Sequence, residues 1–204
     1  MMNKFTGICL SLALIVMPIE GICEGPRYYK DQVSEWMANL ENGEEHDNGQ
    51  AEGELTYKNE PNGFRDLYWG ESLEKIKQTR NVKYLNYNAK TNKVSYIVYF
   101  REDEPSHLSR VPVTGRAMLA SLWNNRLTDI TLYFYEKNAF SDLKYAMHSM
   151  FGKPFMDLNN QIYWAGNKTV IILMAPENNN PCILYLNSSQ LTKEAMKTEA
   201  KSGW

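Results

Sequence analysis

Residues 117–154 read AMLASLWNNRLTDITLYFYEKNAFSDLKYAMHSMFGKP, and this stretch decides the fold. Residues 117–123 and 127–136 form two strand-like runs separated by Asn124-Asn125, residue types that accept the positive φ of a tight hairpin turn. In the second run Ile130, Leu132 and Phe134 alternate with Thr131, Tyr133 and Tyr135, the period of two expected of a sheet with two different faces. Asn138 is placed to cap a helix, and Phe140, Leu143, Met147, Met150 and Phe151 then recur at spacings of three and four as one apolar stripe. Gly152 is expected to end that helix in a left-handed conformation, and Pro154 to stop it resuming. The stretch predicts an antiparallel hairpin with a helix laid across it.

The flanking segments repeat the pattern. Upstream, residues 64–69 read as a strand, Gly70 breaks it, and residues 72–80 make a short helix with Leu73 and Ile76 inward. Residues 82–87 and 94–100 flank the polar turn 88–93; Val94, Tyr96, Val98 and Phe100 face one way, Ser95, Ile97 and Tyr99 the other. A polar loop with Pro105 and Pro112, residues 101–115, leads into the central hairpin. Downstream, residues 162–164, 169–174 and 182–186 read as strands, with turns at Gly166-Asn167 and at 178–181, and Ser189 is placed to cap a mostly polar helix over 190–201. No βαβ alternation occurs, so a parallel sheet is not expected. The fold class is α+β: antiparallel sheet with helices packed on one face, arranged as a tandem helix-plus-meander over sub-repeats 63–136 and 137–204.

The first 62 residues differ in kind. Lys4 precedes a short apolar core over residues 8–17, too brief to span a bilayer, and Gly21 and Cys23 stand at −3 and −1 of a cut before Glu24. Residues 1–23 therefore read as a cleaved signal peptide, the mature chain as periplasmic or secreted, with no membrane span left after cleavage. A lipid-attachment site is not expected, since Ile22 stands before Cys23 where a small residue is needed. Residues 28–40 form an amphipathic helix with Tyr29, Val33, Trp36, Met37 and Leu40 on one side. Residues 41–62, rich in Glu, Asn and Gly, hold too little apolar surface to offset ordering and read as a linker, so that 24–62 leads into an α+β domain at 63–204.

Composition removes several classes. A formal charge of −2 over 204 residues gives no general pull toward nucleic acid, and no nucleic-acid partner is expected. Thirteen tyrosines against three histidines favour sheets and contact surfaces over metal or acid–base chemistry. Cys182 alternates with Leu184 and Leu186 as a core residue, but a cut after Gly21 would leave Cys23 free to pair with it.

The stretch GFRDLYWGESLEKIK at residues 63–77 resembles the "GFR-x-x-x-WG" opening of a widespread class of secreted bacterial proteins. The likeness continues through VPVTG at 111–115, NNRLTDITLYF at 124–134, FGKP at 151–154 and YWAGNKT at 163–169. It covers residues 63–189 and departs at Glu71, where the class carries a capping Thr or Ser, leaving Ser72 to cap. The resemblance implies export and architecture and carries no chemistry. The tandem helix-on-sheet order is also remotely similar to β-lactamase-inhibitor-like domains and small outer-membrane assembly lipoproteins, which are binding modules.

Catalytic signatures are weak. The loop 103–109 offers Asp103, Glu104, Ser106, His107 and Ser109, but neighbours on an extended loop rarely converge as a nucleophile, base and orienting group, and no Gly-x-Ser-x-Gly elbow is present. His148 lies off the apolar stripe beside Lys144, and His46 falls in the linker. Neither a metal nor a cofactor is implied: ligand spacing, a phosphate loop and a dinucleotide fingerprint are all missing from the sequence. Asn167-Lys-Thr169 and Asn187-Ser-Ser189 match glycosylation acceptors and read as ordinary turn residues.

The sheet's second face is the feature that points to function. If Val98, Ile130, Leu132, Phe134, Leu184 and Leu186 pack beneath the helices, then Ile97, Tyr99, Thr131, Tyr133, Tyr135, Ile183 and Tyr185 share the other side. Tyr99, Tyr133, Tyr135, Tyr185, Ile97 and Ile183 are the candidate binding residues, because rigid aromatics bury large area at modest entropic cost. Cross-strand pairing that only stabilises the sheet would use the same residues. The 28–40 helix, or a second copy in a homodimer, would also fit that face. The expected function is a non-enzymatic protein- or peptide-binding module. A cell-envelope hydrolase, requiring a concave pocket around a Ser, His or carboxylate, and an envelope assembly or structural factor are the alternatives.

Overall fold

A computed structural model describes residues 57–177 and 180–201, the side chains of 199–201 excepted, so the expected signal peptide, the 28–40 helix and most of the linker lie outside the described residues. The protein is α+β and is built on one eight-stranded sheet, antiparallel throughout.

A short helix, α1 (Leu73–Thr79), precedes the meander β3 (Val82–Asn88), β4 (Lys93–Tyr99), β7 (Ala117–Trp123) and β8 (Arg126–Phe134). A longer helix, α2 (Ala139–Phe151), precedes a second meander, β9 (Met156–Asp157), β10 (Gln161–Ala165), β11 (Thr169–Met174) and β12 (Cys182–Ser188). The strand order β3-β4-β7-β8-β12-β11-β10-β9 places the last strands of the two meanders side by side at the centre. Two helix-plus-meander halves thus meet along β8 and β12, with Leu132 opposite Leu184 and Ile130 opposite Leu186.

Alternation sets the two faces. Val98, Met118, Ala120, Ile130, Leu132, Phe134, Cys182, Leu184, Ile171, Leu173, Ile162 and Trp164 share one side and form a single core with Ile76 of α1 and Leu143 and Met147 of α2. Phe140 and Phe151 of α2's stripe pack against this core too, whereas Met150, expected in the same stripe, is 38% exposed. Gly152 closes α2 by donating its N–H to the His148 carbonyl at 2.9 Å. Its φ of 81° with ψ of −156° is a conformation reserved for glycine rather than the left-handed helical one expected. Asn138 stands at the N-cap but makes no side-chain cap; Ser141 instead donates to its carbonyl at 2.9 Å.

Several local expectations are revised. The segment 64–69 is a tight hairpin, β1 (Gly63–Phe64) with β2 (Leu67–Tyr68), because Arg65 turns the chain at φ 58°. The polar loop 101–115 contains another, β5 (His107–Leu108) with β6 (Val111–Pro112), turned by Ser109 at φ 56°. Ser72 does cap α1, accepting from the Lys75 N–H at 3.3 Å. The last helix, α3 (Ser189–Lys201), is capped by Ser188, which accepts from the Leu191 N–H at 3.3 Å. Among the described residues, contacts with the sheet reach back before Gly63: the Tyr57 hydroxyl donates to the Thr169 carbonyl at 3.0 Å, and Glu60 accepts from the Thr169 N–H at 2.8 Å. Cys182 is a buried free thiol whose pKa burial pushes up to about 12.

The placement of α3 bears on the site. It packs against β11 and β12, pairs with β8 through Glu194 and Arg126 at 2.8 Å, and bonds Asn187 through Thr192. Those partners lie on the side of the sheet away from α1 and α2, so α3 is the one described helix on the reverse face.

Candidate functional site

The reverse face is laid out in rows by the register. One row runs Lys83, Ile97, Leu119, Thr131, Tyr185, Ile172, Tyr163 and Met156 across all eight strands. The next pairs Tyr99 with Ala117, and Tyr133 with Ile183 and Met174. A third is polar: Asn86, Ser95, Ser121, Asp129 and Asn187, followed by Val170.

Asp129 is the hub of the polar row. It is 4% exposed, and its carboxylate accepts from Lys93 at 2.5 Å and Thr128 at 2.7 Å on one oxygen, and from Asn187 at 2.8 Å and the Tyr185 hydroxyl on the other. Burial opposes its charge, but the Lys93 ammonium and the hydroxyl donors outweigh that, holding the carboxyl below the usual range. Burial and the adjacent Asp129 charge push the Tyr185 hydroxyl well above an ordinary phenol.

A β-bulge builds this hub. The register between β7 and β8 slips between Ser121 and Leu122, so Thr128 is an extra residue in β8. The slip leaves Leu127 free to bond elsewhere: its N–H donates to the Glu71 carbonyl at 2.9 Å and its carbonyl accepts from Gly70 at 3.0 Å. One irregularity therefore anchors the start of α1 on one face and sets Thr128 beside Asp129 on the other.

The candidate residues are distributed as follows. Ile97, Tyr99, Tyr133, Ile183 and Tyr185 are half-buried on the reverse face, and Tyr135, beyond the end of β8, is 64% exposed. Tyr185 differs from the rest because its hydroxyl is committed to Asp129. Val170 and Ile172 are buried on the β11 part of the face that α3 overlies, whereas Ile97, Tyr99, Ala117 and Leu119 on β4 and β7 are half-buried. Sequence reading missed Asp129, Lys93 and Asn187. A carboxylate at a sheet position in LTDIT was the available signal, but its partners lie 36, 56 and 58 residues away.

The proposed hydrolase groups have other roles. Glu104 is 9% exposed and accepts both Arg80 guanidinium nitrogens, at 2.6 and 2.5 Å; burial disfavours its charge, but Arg80 holds its pKa down. Arg80 also pairs with Asp66, which in turn pairs with Arg101, so the network ties α1 to the 101–116 loop. His107 is exposed on β5. His148 is half-buried edge-on to Trp164 at 5.7 Å, and its Nε2 lies 3.9 Å from Asp157, beyond hydrogen-bond reach. Asn187 is buried on β12, its amide donating to Asp129 of β8 and Thr192 of α3, and is no glycosylation acceptor in the folded protein. Among the described residues no group of three or more His, Cys, Asp or Glu is placed to hold a metal ion. A shallow depression of about 370 Å³ at the start of α2 is lined by Arg110, Glu136, Lys137 and Asp142.

Comparison with family models, curated proteins and solved structures gave no match.

Proposed function

We propose that the protein is an exported binding module that holds a protein or peptide segment on the β4–β7 part of its reverse sheet face. The observation that carries this reading is the half-buried strip of Ile97, Tyr99, Ala117 and Leu119, flanked by Ile183, on the face that α3 packs against over β11 and β12. Such a strip joins apolar area to rigid aromatic rings on a pre-formed sheet, so little ordering entropy is lost on contact. Catalysis is less well supported. A general base works with a pKa near the ambient pH, whereas Asp129 and Glu104 are held low by saturated donor sets.

Export rests on Lys4, the apolar core 8–17 and the small residues before Glu24. Among the described residues no helix is long and apolar enough to cross a membrane. N-terminal sequencing of the protein from an exporting host is expected to begin at Glu24. For the binding surface, Ile97→Asp and Leu119→Asp should leave the circular dichroism spectrum intact and weaken capture of envelope partners about tenfold or more, the loss expected of a central contact residue. Unchanged capture by both variants would reject the sheet-face reading.

A further inference from the structure

We infer that the outer edge of β3 is a second interaction surface, one that takes an extended, acidic segment of a partner protein as an added strand. This edge is separate from the β4–β7 strip and does not depend on it.

Three observations single out this occupant. The first is the edge itself. The eight-stranded sheet ends at β3, seven residues long, on one side and at β9, two residues long, on the other. Among the described residues β3 pairs with β4 alone, so roughly half of its N–H and C=O groups point away from the sheet. Its length of about 23 Å gives room for an extended peptide of similar size. Lys83, Tyr84, Tyr87 and Asn88 are exposed, which leaves the strand open to solvent.

The second is the pair of rings along that edge. Tyr84 and Tyr87 lie opposite Tyr96 and Val94, in line with the core residue Val98, and so stand on the face that carries α1. They are 58% and 53% exposed. Tyr84 meets Tyr96 edge-on at 6.0 Å, and the Tyr87 hydroxyl donates to Asn92 at 3.0 Å, so both rings are held in place before any contact. Side chains opposite each other on paired strands lie about 5 Å apart, and an added strand would therefore set its alternate side chains against these rings. Rigid rings lose little entropy in such a contact.

The third is charge. Residues 81–100 contain three lysines and no Asp or Glu. Lys93 is committed to Asp129 at 2.5 Å, which leaves Lys83 on the strand and Lys90 in the turn after it, both exposed. The acid whose charge acts on Tyr96 is Glu74 of α1, already engaged by the Asn125 amide at 2.9 Å, so the balance along the hairpin stays positive. An acidic strand is drawn to that balance and a basic one repelled. A second copy of the chain fits less well. It would bring two positive hairpins together, and the extra residue Leu85, where the register with β4 slips, bends the edge that a rigid sheet would have to match. A free peptide can follow that bend.

The probe is a fluorescein-labelled peptide, Glu-Val-Thr-Val-Glu-Val-Thr-Val-Glu, titrated against the full chain by fluorescence anisotropy. Saturable binding is expected, with amide hydrogen exchange slowed at residues 82–88. A twin with Lys in place of each Glu should bind about tenfold more weakly or worse, because its charge opposes that of the edge. A twin N-methylated at its successive central residues should lose binding as far, because it cannot form the ladder. Lys83→Glu with Lys90→Glu, both at exposed positions, should reverse the preference between the acidic and basic peptides. The inference is overturned by no saturable binding up to about 1 mM, by equal binding of the acidic and basic peptides, or by a preference that the double variant leaves unchanged. Binding that slows no exchange at 82–88 would overturn it too, while leaving the β4–β7 strip as the surface. Protection of 82–88 by self-association of the chain alone would make a second copy the occupant and reject the acidic partner.

Discussion

Asp129 shows how one side chain stabilises this sheet and how pH reaches it. Replacing it by Asn leaves Lys93 without its counter-charge and sets an amide against the donors of Asn187 and Tyr185. Breaking one partner of a buried pair typically costs about 3–5 kcal/mol. We expect Asp129→Asn to lower the melting temperature by about 6–20 °C, since each kcal/mol is worth about 2–4 °C at this size. The sign with pH follows from the direction of the shift. The Asp129 pKa is lower folded than unfolded, so its contribution is complete above about pH 4 and disappears as pH falls through the folded value. Asp66 and Glu104 are lowered too and add to the acid loss, but the gap between wild type and Asp129→Asn should close as pH falls below about 4. Urea titrations across that range decide it; parallel curves would mean that the carboxylate carries no net stabilisation. Tyr185 shifts upward, so its contribution is present below about pH 10 and falls as pH rises past it, a loss that Tyr185→Phe should lack.

At the scale of elements, the long periodic pieces were legible and the pieces made by irregular backbone were not. Strands β4, β8 and β12 follow from alternation and helix α2 from a three-and-four spacing, while β11 follows from an uninterrupted apolar run bounded by turns. The hairpins β1–β2 and β5–β6 have two residues per strand and turn on Arg65 and Ser109 at positive φ, which residue type does not announce. Helix α1, with seven residues, is too short to persist alone. Arg80, at its C-terminal cap, fastens it to Glu104 at 2.5 and 2.6 Å. Arg80→Met should cost about 3 kcal/mol, because it strands a buried carboxylate, and Arg80→Met with Glu104→Gln should cost less than the sum of the single changes by about 1 kcal/mol or more. Chemical denaturation of the four proteins in that cycle measures the coupling, and strict additivity would show that the pair does not hold α1. A second fastening lies at Gly166, where an added Cβ would collide with the Glu60 carboxylate and meet the Tyr57 ring at 2.8 Å. Gly166→Ala should therefore expel Glu60 from the Thr169 N–H and release residues 57–62 to proteolysis, at about 1.5–3 kcal/mol, the worth of a hydrogen bond to a charged group. Limited digestion cutting wild type and variant equally fast before Gly63 would refute the fastening.

For the molecule as a whole, the deciding contact is the seam between β8 and β12, which no local pattern announces because its partners lie 48 to 58 residues apart in the chain. Both strands were readable from their own alternation; their adjacency was not. The seam makes a strong claim about cooperativity. Leu132 and Leu184 face each other across it, are 0% and 1% exposed, and belong to one core with residues from both halves. Either half alone would expose a long apolar strand edge at β8 or β12, a template for aggregation. The halves are therefore expected to unfold together even though each has its own helix and meander. Leu132→Ala in the first half and Ile171→Ala in the second should each cost about 2–5 kcal/mol. Each should shift a single transition, reported identically by variants that keep only Trp123 on β7 or only Trp164 on β10. Cys182 supplies a third, chemical reporter on the seam itself. Its thiol is 1% exposed and its pKa stands at about 12, so at neutral pH it should react with a thiol reagent only through opening of the sheet. The free energy of that opening should match global unfolding in wild type and fall by the same amount in both core variants. Two separated transitions, or a Cys182 reactivity that responds to Ile171→Ala and ignores Leu132→Ala, would show instead that the second meander opens independently of the first.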